Sequence, residues 1–191
     1  LKSQIESFSQ NDETTLTYML YSFTTATLGR EEFSSHQKEL LRILSTKQLN
    51  TYSLSLLIQT AKMSNEKNLA EDLSIKLISM VDEEKNSASW GGKQWHYNWQ
   101  DDKVQSTAYA VKALLKTFPE NHLISKAVRW MLLQKHGFSW RSTQETAAVI
   151  FALTDYLKIT NELNPDYTYT VFINDKEVSK DNVATQDVYL A

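Results

Sequence analysis

The chain contains no cysteine, and this absence excludes several kinds of chemistry within its 191 residues. Without thiols these residues form no disulfide, no thiolate zinc site, no cysteine nucleophile and no cysteine thioester. The four histidines lack His-x-x-x-His spacing, and a zinc site without thiolates would need carboxylates gathered from distant positions. We therefore expect no metal and no cofactor.

Glycine and proline are also scarce, with four Gly and two Pro in the whole chain. Because these residues interrupt regular structure, their scarcity predicts long helices joined by short connections. No apolar run approaches the roughly 20 residues that a membrane-spanning helix needs. A formal net charge of −3 provides no global attraction to nucleic acid or to an anionic membrane, so we expect neither as a partner.

One phrase occurs twice in the second half of the chain, at an offset of 39 residues. Residues 105–116 (QSTAYAVKALLK) align with residues 144–155 (QETAAVIFALTD), and the first residue of both copies is Gln. A tryptophan lies upstream of each copy, Trp99 in the first case and Trp140 in the second. A repeat of this length is typical of one helical hairpin in an array of hairpins.

Apolar residues at helical spacing predict seven helices that alternate between buried inner positions and amphipathic outer positions. The predicted ranges are about 14–28, 34–45, 50–62, 66–82, 104–117, 121–134 and 143–159. Residues 83–102 break the pattern and predict a long connection. After Pro165 the period changes to two, so residues 167–178 predict a β-hairpin that turns at Asn174-Asp175. The hairpin is either a short appendage or the start of a β-sandwich.

Three further phrases carry a family resemblance through their order and spacing. They are residues 104–115 (VQSTAYAVKALL), residues 127–130 (AVRW) with Gln134, and residues 137–146 (GFSWRSTQET). Together they resemble the thioester-containing α/α toroid domain of the α2-macroglobulin and complement superfamily, most closely that of its bacterial branch. The resemblance implies an incomplete α/α toroid over residues 1–163 and β-strands of a following or interleaved domain over residues 164–191.

The same resemblance implies a function for the chain. It would be a scaffold and interaction part of an endopeptidase inhibitor that traps proteases after they cut a bait region, and it would not be an enzyme. Its expected partners are other domains of the same large polypeptide and the target proteases. The expected location is exported, either periplasmic or at the cell surface. The reactive group of the family is a Cys-x-x-Gln thioester, so a chain without cysteine either lies downstream of it or belongs to a member that has lost it.

The repeat and the resemblance both single out the starts of two inner helices. Ser142, followed three residues later by Glu145, forms a capping-box pattern whose side chains can bond the free amides of a helix start. A binding motif is the alternative, and we favour the structural role. The residues assigned to these helix starts are Trp140, Ser142, Thr143, Gln144, Glu145 and Thr146, with Thr107, Ala108 and Tyr109 in the first copy.

Aromatic residues crowd the long connection before the first copy. Trp90, Trp95, Tyr97 and Trp99 could form a stacking platform for sugars or peptides. The alternative, which we favour, is that these rings pack the connection onto the ends of the helices.

An adjacent acid pair, Asp101-Asp102, leaves an enzymatic alternative open. Toroid enzymes that act on glycans use one carboxyl group as an acid and another as a base or nucleophile, and isoprenoid cyclases use acidic clusters. Asp102 is also well placed to cap the helix that follows it, which is the interpretation we favour. A plain helical-repeat interaction module is the third possibility.

Overall fold

The structure is a computed structural model that describes residues 13–28, 34–92, 102–161 and 166–184. Seven α-helices lie within these ranges. They are α1 (Glu13–Thr27), α2 (Ser35–Ser45), α3 (Thr51–Met63), α4 (Lys67–Ile78), α5 (Lys103–Thr117), α6 (His122–Leu133) and α7 (Thr143–Thr160). Each predicted helix is present, and most of the predicted ends agree with the structure to within one residue.

The helices form two layers. In the inner layer α1, α3, α5 and α7 pack side by side in chain order. The helices between them, α2, α4 and α6, lie outside: α4 contacts both α3 and α5, and α6 contacts α5. This arrangement confirms the predicted inner and outer alternation and agrees with an α/α toroid.

Helix α3 is the most enclosed element of the inner layer. Every residue from Thr51 to Ala61 is buried, because α1, α4 and α5 all pack against it. Two of its buried hydroxyls bond within the helix: Ser55 donates to the Thr51 carbonyl at 2.8 Å and Thr60 to the Leu56 carbonyl at 2.9 Å. These two side chains are therefore accommodated here without an external partner.

Buried small side chains occur along both α5 and α7, which pack against each other. Ala108, Ala110, Ala113 and Ala152 have no exposed surface, and Ala148 is also buried. Because alanine adds little bulk, the two helix backbones can approach closely. Of the alanines that align between the two copies, Ala113 and Ala152 are both buried, whereas Ala147, the counterpart of Ala108, is exposed.

The first and last inner helices both expose large apolar side chains. On α1, Met19 and Phe23 are 52% and 53% exposed. On α7, Ile150 and Phe151 are 51% and 61% exposed. In a stacked array such faces are covered by the next hairpin, so both ends of the described layer are open for packing.

The predicted extent of the fourth helix is wrong. The sequence predicts helix to residue 82, whereas α4 ends at Ile78, with Ser79 as its C-cap. Asp82–Glu83 instead forms strand β1, which pairs antiparallel with β2 (Ala88–Ser89). Strands of two residues carry no periodicity, so apolar spacing through Val81 mimics one more helical turn.

The predicted C-terminal hairpin is present. Strands β3 (Asp166–Ile173) and β4 (Lys176–Ala184) pair antiparallel, with an irregularity between Val171 and Phe172. At the turn, Asn174 and Asp175 have φ of 48° and 60°, as a two-residue turn that matches strand twist requires. Throughout the described ranges, every helix is too short or too polar to traverse a lipid bilayer.

Candidate functional site at the starts of the inner helices

Trp90 connects the end of one hairpin to the start of the next inner helix. Its side chain is fully buried, and its indole N–H donates to the carbonyl of Leu77 in α4 at 2.8 Å. Its backbone N–H donates to the Thr107 hydroxyl in α5 at 2.9 Å. The Thr107 hydroxyl itself lies 2.7 Å from the Lys103 carbonyl, to which it donates. Trp90 is thus a packing residue in this structure and presents no ring surface to a ligand.

The residue after Trp90 must be small for this arrangement to form. Gly91 has φ of +112°, a conformation that residues with a side chain rarely adopt. A Cβ at this position would lie 3.0 Å from the Ser106 Cβ and 3.1 Å from the Lys103 Cα. Glycine therefore permits the chain before α5 to pass directly against that helix.

Trp140 makes the equivalent connection one repeat later. Its indole N–H donates to the carbonyl of Met131 in α6 at 2.8 Å, and its backbone N–H donates to the Thr146 hydroxyl at 3.1 Å. In the first copy Trp90 makes this connection, whereas the sequence spacing points to Trp99. Trp95, Tyr97 and Trp99 lie outside the described residues.

Polar side chains cap the starts of the inner helices. Asn50 accepts from the Ser53 N–H at 2.8 Å, Asp102 from the Gln105 N–H at 2.9 Å, and Ser142 from the Glu145 N–H at 3.1 Å. Each bond satisfies one of the amides that a helix start leaves without a partner. Asp102 therefore acts as a helix cap in the structure, while Asp101 lies outside the described residues.

The Glu145 side chain departs from the reciprocal pattern of a capping box. In a complete box it would bond the N–H of the cap residue, Ser142. Instead its carboxylate accepts from the backbone N–H of Arg141 at 3.1 Å. A complete box occurs at α2, where Ser34 and Gln37 bond each other's backbone amides.

Arg141 joins the starts of α5 and α7 through two carboxylates. Its Nε and Nη2 atoms donate to Glu145 Oε1 at 3.0 Å and 2.7 Å, and Nη2 also donates to Asp102 Oδ2. The side chains of Asp102 and Glu145 are only 14% and 4% exposed, whereas that of Arg141 is 54% exposed. Burial and the neighbouring Asp102 raise the pKa of Glu145, against the opposing effect of Arg141.

A cavity of about 350 Å³ opens beside these helix starts. All four described inner helices contribute to its wall, which consists of aromatic rings, amides, hydroxyls and methyl groups. The lining residues are Thr14, Thr15, Tyr18, Tyr52, Gln105, Tyr109, Gln144, Ala147, Ala148 and Phe151. No acidic, basic or histidine side chain is among them, so this wall offers apolar contact and neutral hydrogen bonding.

Two of the tyrosines that line this cavity contact each other. The rings of Tyr52 and Tyr109 meet edge to face, with centroids 4.9 Å apart and planes at 80°. Burial raises the pKa of both phenols above the usual value, and their mutual proximity adds to this for Tyr52. Both therefore remain neutral phenols at physiological pH.

Two lysines of the inner helix α5, Lys112 and Lys116, lie further from the helix start than the residues that line the cavity. Lys112 pairs with Asp155 at 3.3 Å and lies over the ring of Phe151, 5.4 Å from its centroid. Lys116 follows Lys112 by one turn, and burial together with Lys112 lowers its pKa. Lys116 has no ion-pair partner within the described ranges.

The remaining residues singled out from the sequence are not gathered into one reactive centre. Thr143 and Gln144 are exposed at the first turn of α7, and Ala108 is buried against the neighbouring helices. Arg141 is not among the residues predicted from the sequence, although it lies between Trp140 and Ser142 in the quoted phrase. The repeat contains a signal for this residue, because Arg141 lies 39 residues after Asp102 and 39 residues is also the offset between the two copies.

Comparison with known proteins identifies the family of the chain. A family model described as the A-macroglobulin TED domain, the thioester-containing domain, matches residues 14–156. The chain belongs to this family. It is also similar to complement C3 of Naja naja, with 38% identity over 74 residues, which make up 37% of this chain and 4% of that protein. The α2-macroglobulin and complement resemblance is therefore confirmed.

The residues that the family model matches include the whole of this site. Residues 14–156 include both tryptophan connections, the Arg141 bridge and every residue of the cavity lining, which runs from Thr14 to Phe151. The C-terminal hairpin, which begins at Asp166, lies after the matched range. The division of the chain at residue 163 stays a prediction.

Proposed function

We propose that this chain is the helical scaffold of an α2-macroglobulin-like endopeptidase inhibitor. In this proposal a protease cuts a bait region elsewhere in the polypeptide, and the TED domain then moves and helps to enclose the protease. The observation that carries the proposal is membership of the TED family over residues 14–156. The partial match to complement C3 supports the same superfamily.

The proposed role is structural and not enzymatic. Asp102 is engaged as a cap and as a partner of Arg141, so it is not free to transfer protons to a substrate. The described wall of the cavity carries no carboxylate, whereas glycoside hydrolysis requires two that face the bond to be cleaved. These observations favour a scaffold over the glycan or isoprenoid enzyme that the acid pair suggested.

The partners proposed for this scaffold are other domains of the same polypeptide and the trapped protease. Exposed apolar residues on α1 and α7, such as Phe23 and Phe151, provide surface for intramolecular packing. We propose no nucleic-acid or membrane partner for this segment, because its charge balance favours neither. An exported location, periplasmic or at the cell surface, is part of the proposal.

A covalent step would depend on residues beyond this sequence. A thioester needs a cysteine thiol, and the chain has none. Within the proposal, these residues support a thioester carried elsewhere or take part in a trap that works by enclosure alone.

The test of trapping uses the full polypeptide that carries this chain. It is incubated with an endopeptidase, and cleavage of a protein substrate is compared with cleavage of a short peptide substrate. Enclosure predicts that cleavage of the protein is lost while cleavage of the peptide persists, because only the small substrate reaches the enclosed protease. Full activity toward both substrates, or equal loss of both, would contradict a trap.

A second measurement separates the covalent form from the steric form. Intact mass and free thiol are measured before and after methylamine, a small amine that opens an internal thioester. A mass gain together with one new thiol indicates a covalent trap. The absence of reaction, together with positive trapping, indicates a steric one.

A further inference from the structure

The bridge between α5 and α7 has an unequal charge balance. Two carboxylates, Asp102 and Glu145, share the single guanidinium of Arg141. Among the described residues these are the charged groups that act on Glu145: Asp102 from the start of α5, and Arg141 from the segment before α7. Counting the described residues alone, one negative charge therefore remains without compensation in a largely buried place, where an uncompensated charge is unfavourable.

The three side chains differ in their access to solvent. Those of Asp102 and Glu145 are nearly enclosed, whereas more than half of the Arg141 side chain is exposed. The guanidinium is therefore the member of the group that can leave, while the two carboxylates are held by their helices. If it left at neutral pH, two buried like charges would face each other.

We propose that Asp102 and Glu145 form a proton-sharing carboxyl pair, in which one proton can hold the starts of α5 and α7 together when Arg141 is released. The step adds a proton to the Glu145 carboxylate, and the resulting O–H donates to the Asp102 carboxylate. The hydrogen bonds from the Arg141 guanidinium to Glu145 and to Asp102 break, and Arg141 keeps its charge. Mild acid thus frees an exposed cation beside the cavity without separating the two helices.

The electrostatics of the site agree with this geometry. Burial and Asp102 raise the pKa of Glu145 above that of an ordinary glutamate. A raised pKa in the folded state means that the folded protein binds more protons than the unfolded chain. The contribution of Glu145 to the free energy of unfolding therefore increases as the pH falls from its pKa in the folded state toward the ordinary pKa of glutamate. This device goes beyond the proposed trapping function and does not depend on it.

The direct test is a carboxyl titration of this chain by carbon-detected NMR. We expect the Glu145 side-chain carbonyl to titrate above the ordinary glutamate range, and to titrate lower in Asp102→Asn, which retains a capping oxygen but loses the charge. We expect it to titrate higher in Arg141→Gln. Titration of Glu145 at or below the ordinary value, or at an unchanged pH in Asp102→Asn, would overturn the proposal.

Thermal unfolding provides an independent test. Arg141→Gln should lower the Tm more at about pH 7.5 than at about pH 5, because a proton replaces the guanidinium only in acid. Adding Glu145→Gln should recover part of the loss at neutral pH, since the amide is neutral and can donate to Asp102. Lys135→Gln, which removes an exposed cation from the same connection, is the matched control and should show no such pH dependence.

Two outcomes of the thermal experiment decide against the device. One is a loss in Arg141→Gln that has the same size at both pH values, and the other is the absence of recovery by Glu145→Gln. If Arg141→Gln does not fold, Glu145→Gln alone is compared with the unmodified chain. The Tm of that variant should depend less on pH across the same interval, and an unchanged pH dependence would equally overturn the proposal.

Discussion

The indole N–H of Trp90 donates to the carbonyl of Leu77 at 2.8 Å, and this bond ties the long connection to the end of α4. The same connection is tied to α5 through the backbone N–H of Trp90 and the Thr107 hydroxyl. One residue therefore fixes an outer helix against the next inner helix. Trp140 repeats this connection for α6 and α7.

Replacing Trp90 by phenylalanine should destabilise the fold by about 1–3 kcal/mol. The smaller ring leaves part of a fully buried site unfilled and removes the bond to Leu77. The Leu77 carbonyl also accepts from the Met80 N–H at 3.1 Å, so most of the cost comes from lost packing. Urea unfolding followed by circular dichroism measures the change, and an unchanged free energy of unfolding would refute the structural role of Trp90.

Thr107→Val tests the second bond of the same connection. Valine has nearly the shape of threonine but cannot accept from the buried Trp90 N–H, so we expect a loss of about 1–3 kcal/mol. Thr154→Val is the control, because its hydroxyl is exposed on α7 and its one bond to a described residue is within the same helix, to the Ile150 carbonyl. That change should stay within about 0.5 kcal/mol. Equal effects at both positions would show that the bond to Trp90 is not the cause.

Substitution of Gly91 by alanine tests whether close backbone approach limits this connection. The new Cβ would meet the Ser106 Cβ at 3.0 Å, in addition to the strain of a φ of +112°. Gly137→Ala provides the comparison, because Gly137 also has a positive φ, +63°, but has no atom within 4 Å of its added Cβ. We expect about 1 kcal/mol from backbone strain at Gly137 and a clearly larger loss at Gly91. Similar losses would mean that backbone strain alone explains both.

The elements that could be predicted from sequence are those with a local cause. Apolar spacing predicts the seven helices, and short polar side chains before them indicate where they begin. The turn at Asn174-Asp175 is local too, because both residues tolerate the left-handed backbone that it needs. The helix cap at Asp102 follows from the same kind of reasoning.

The features that could not be predicted from the sequence depend on contacts between distant residues. Trp90 lies 17 residues before Thr107, whereas Trp140 lies only six before Thr146, so spacing alone pairs the wrong tryptophans. Asp102 and Arg141 are 39 residues apart in the chain, so the Arg141 bridge forms only when two helix starts meet in space. The cavity is likewise lined by residues of four helices, so no single segment of the sequence predicts it.

Replacement of Lys116 and of Lys112 by methionine should change the free energy of unfolding in opposite directions. Burial and the nearby Lys112 lower the pKa of Lys116, so the charge of Lys116 is unfavourable in the folded state. Lys116→Met keeps the apolar stem without the charge and should raise the free energy of unfolding by up to about 1 kcal/mol at neutral pH, a modest value because Lys116 is only half-buried. Lys112→Met removes the 3.3 Å pair with Asp155 and should lower that free energy by a similar amount.

The pH dependence of the Lys116 effect provides the sharper measurement. A lysine with a lowered folded pKa binds fewer protons in the folded state than in the unfolded chain. Stability from this group therefore rises as the pH increases from the folded pKa toward the ordinary lysine value, and the advantage of Lys116→Met should shrink over that interval. Urea unfolding at a series of alkaline pH values tests this for both variants. An advantage that persists unchanged through this interval would mean that Lys116→Met acts through packing and not through removal of a charge.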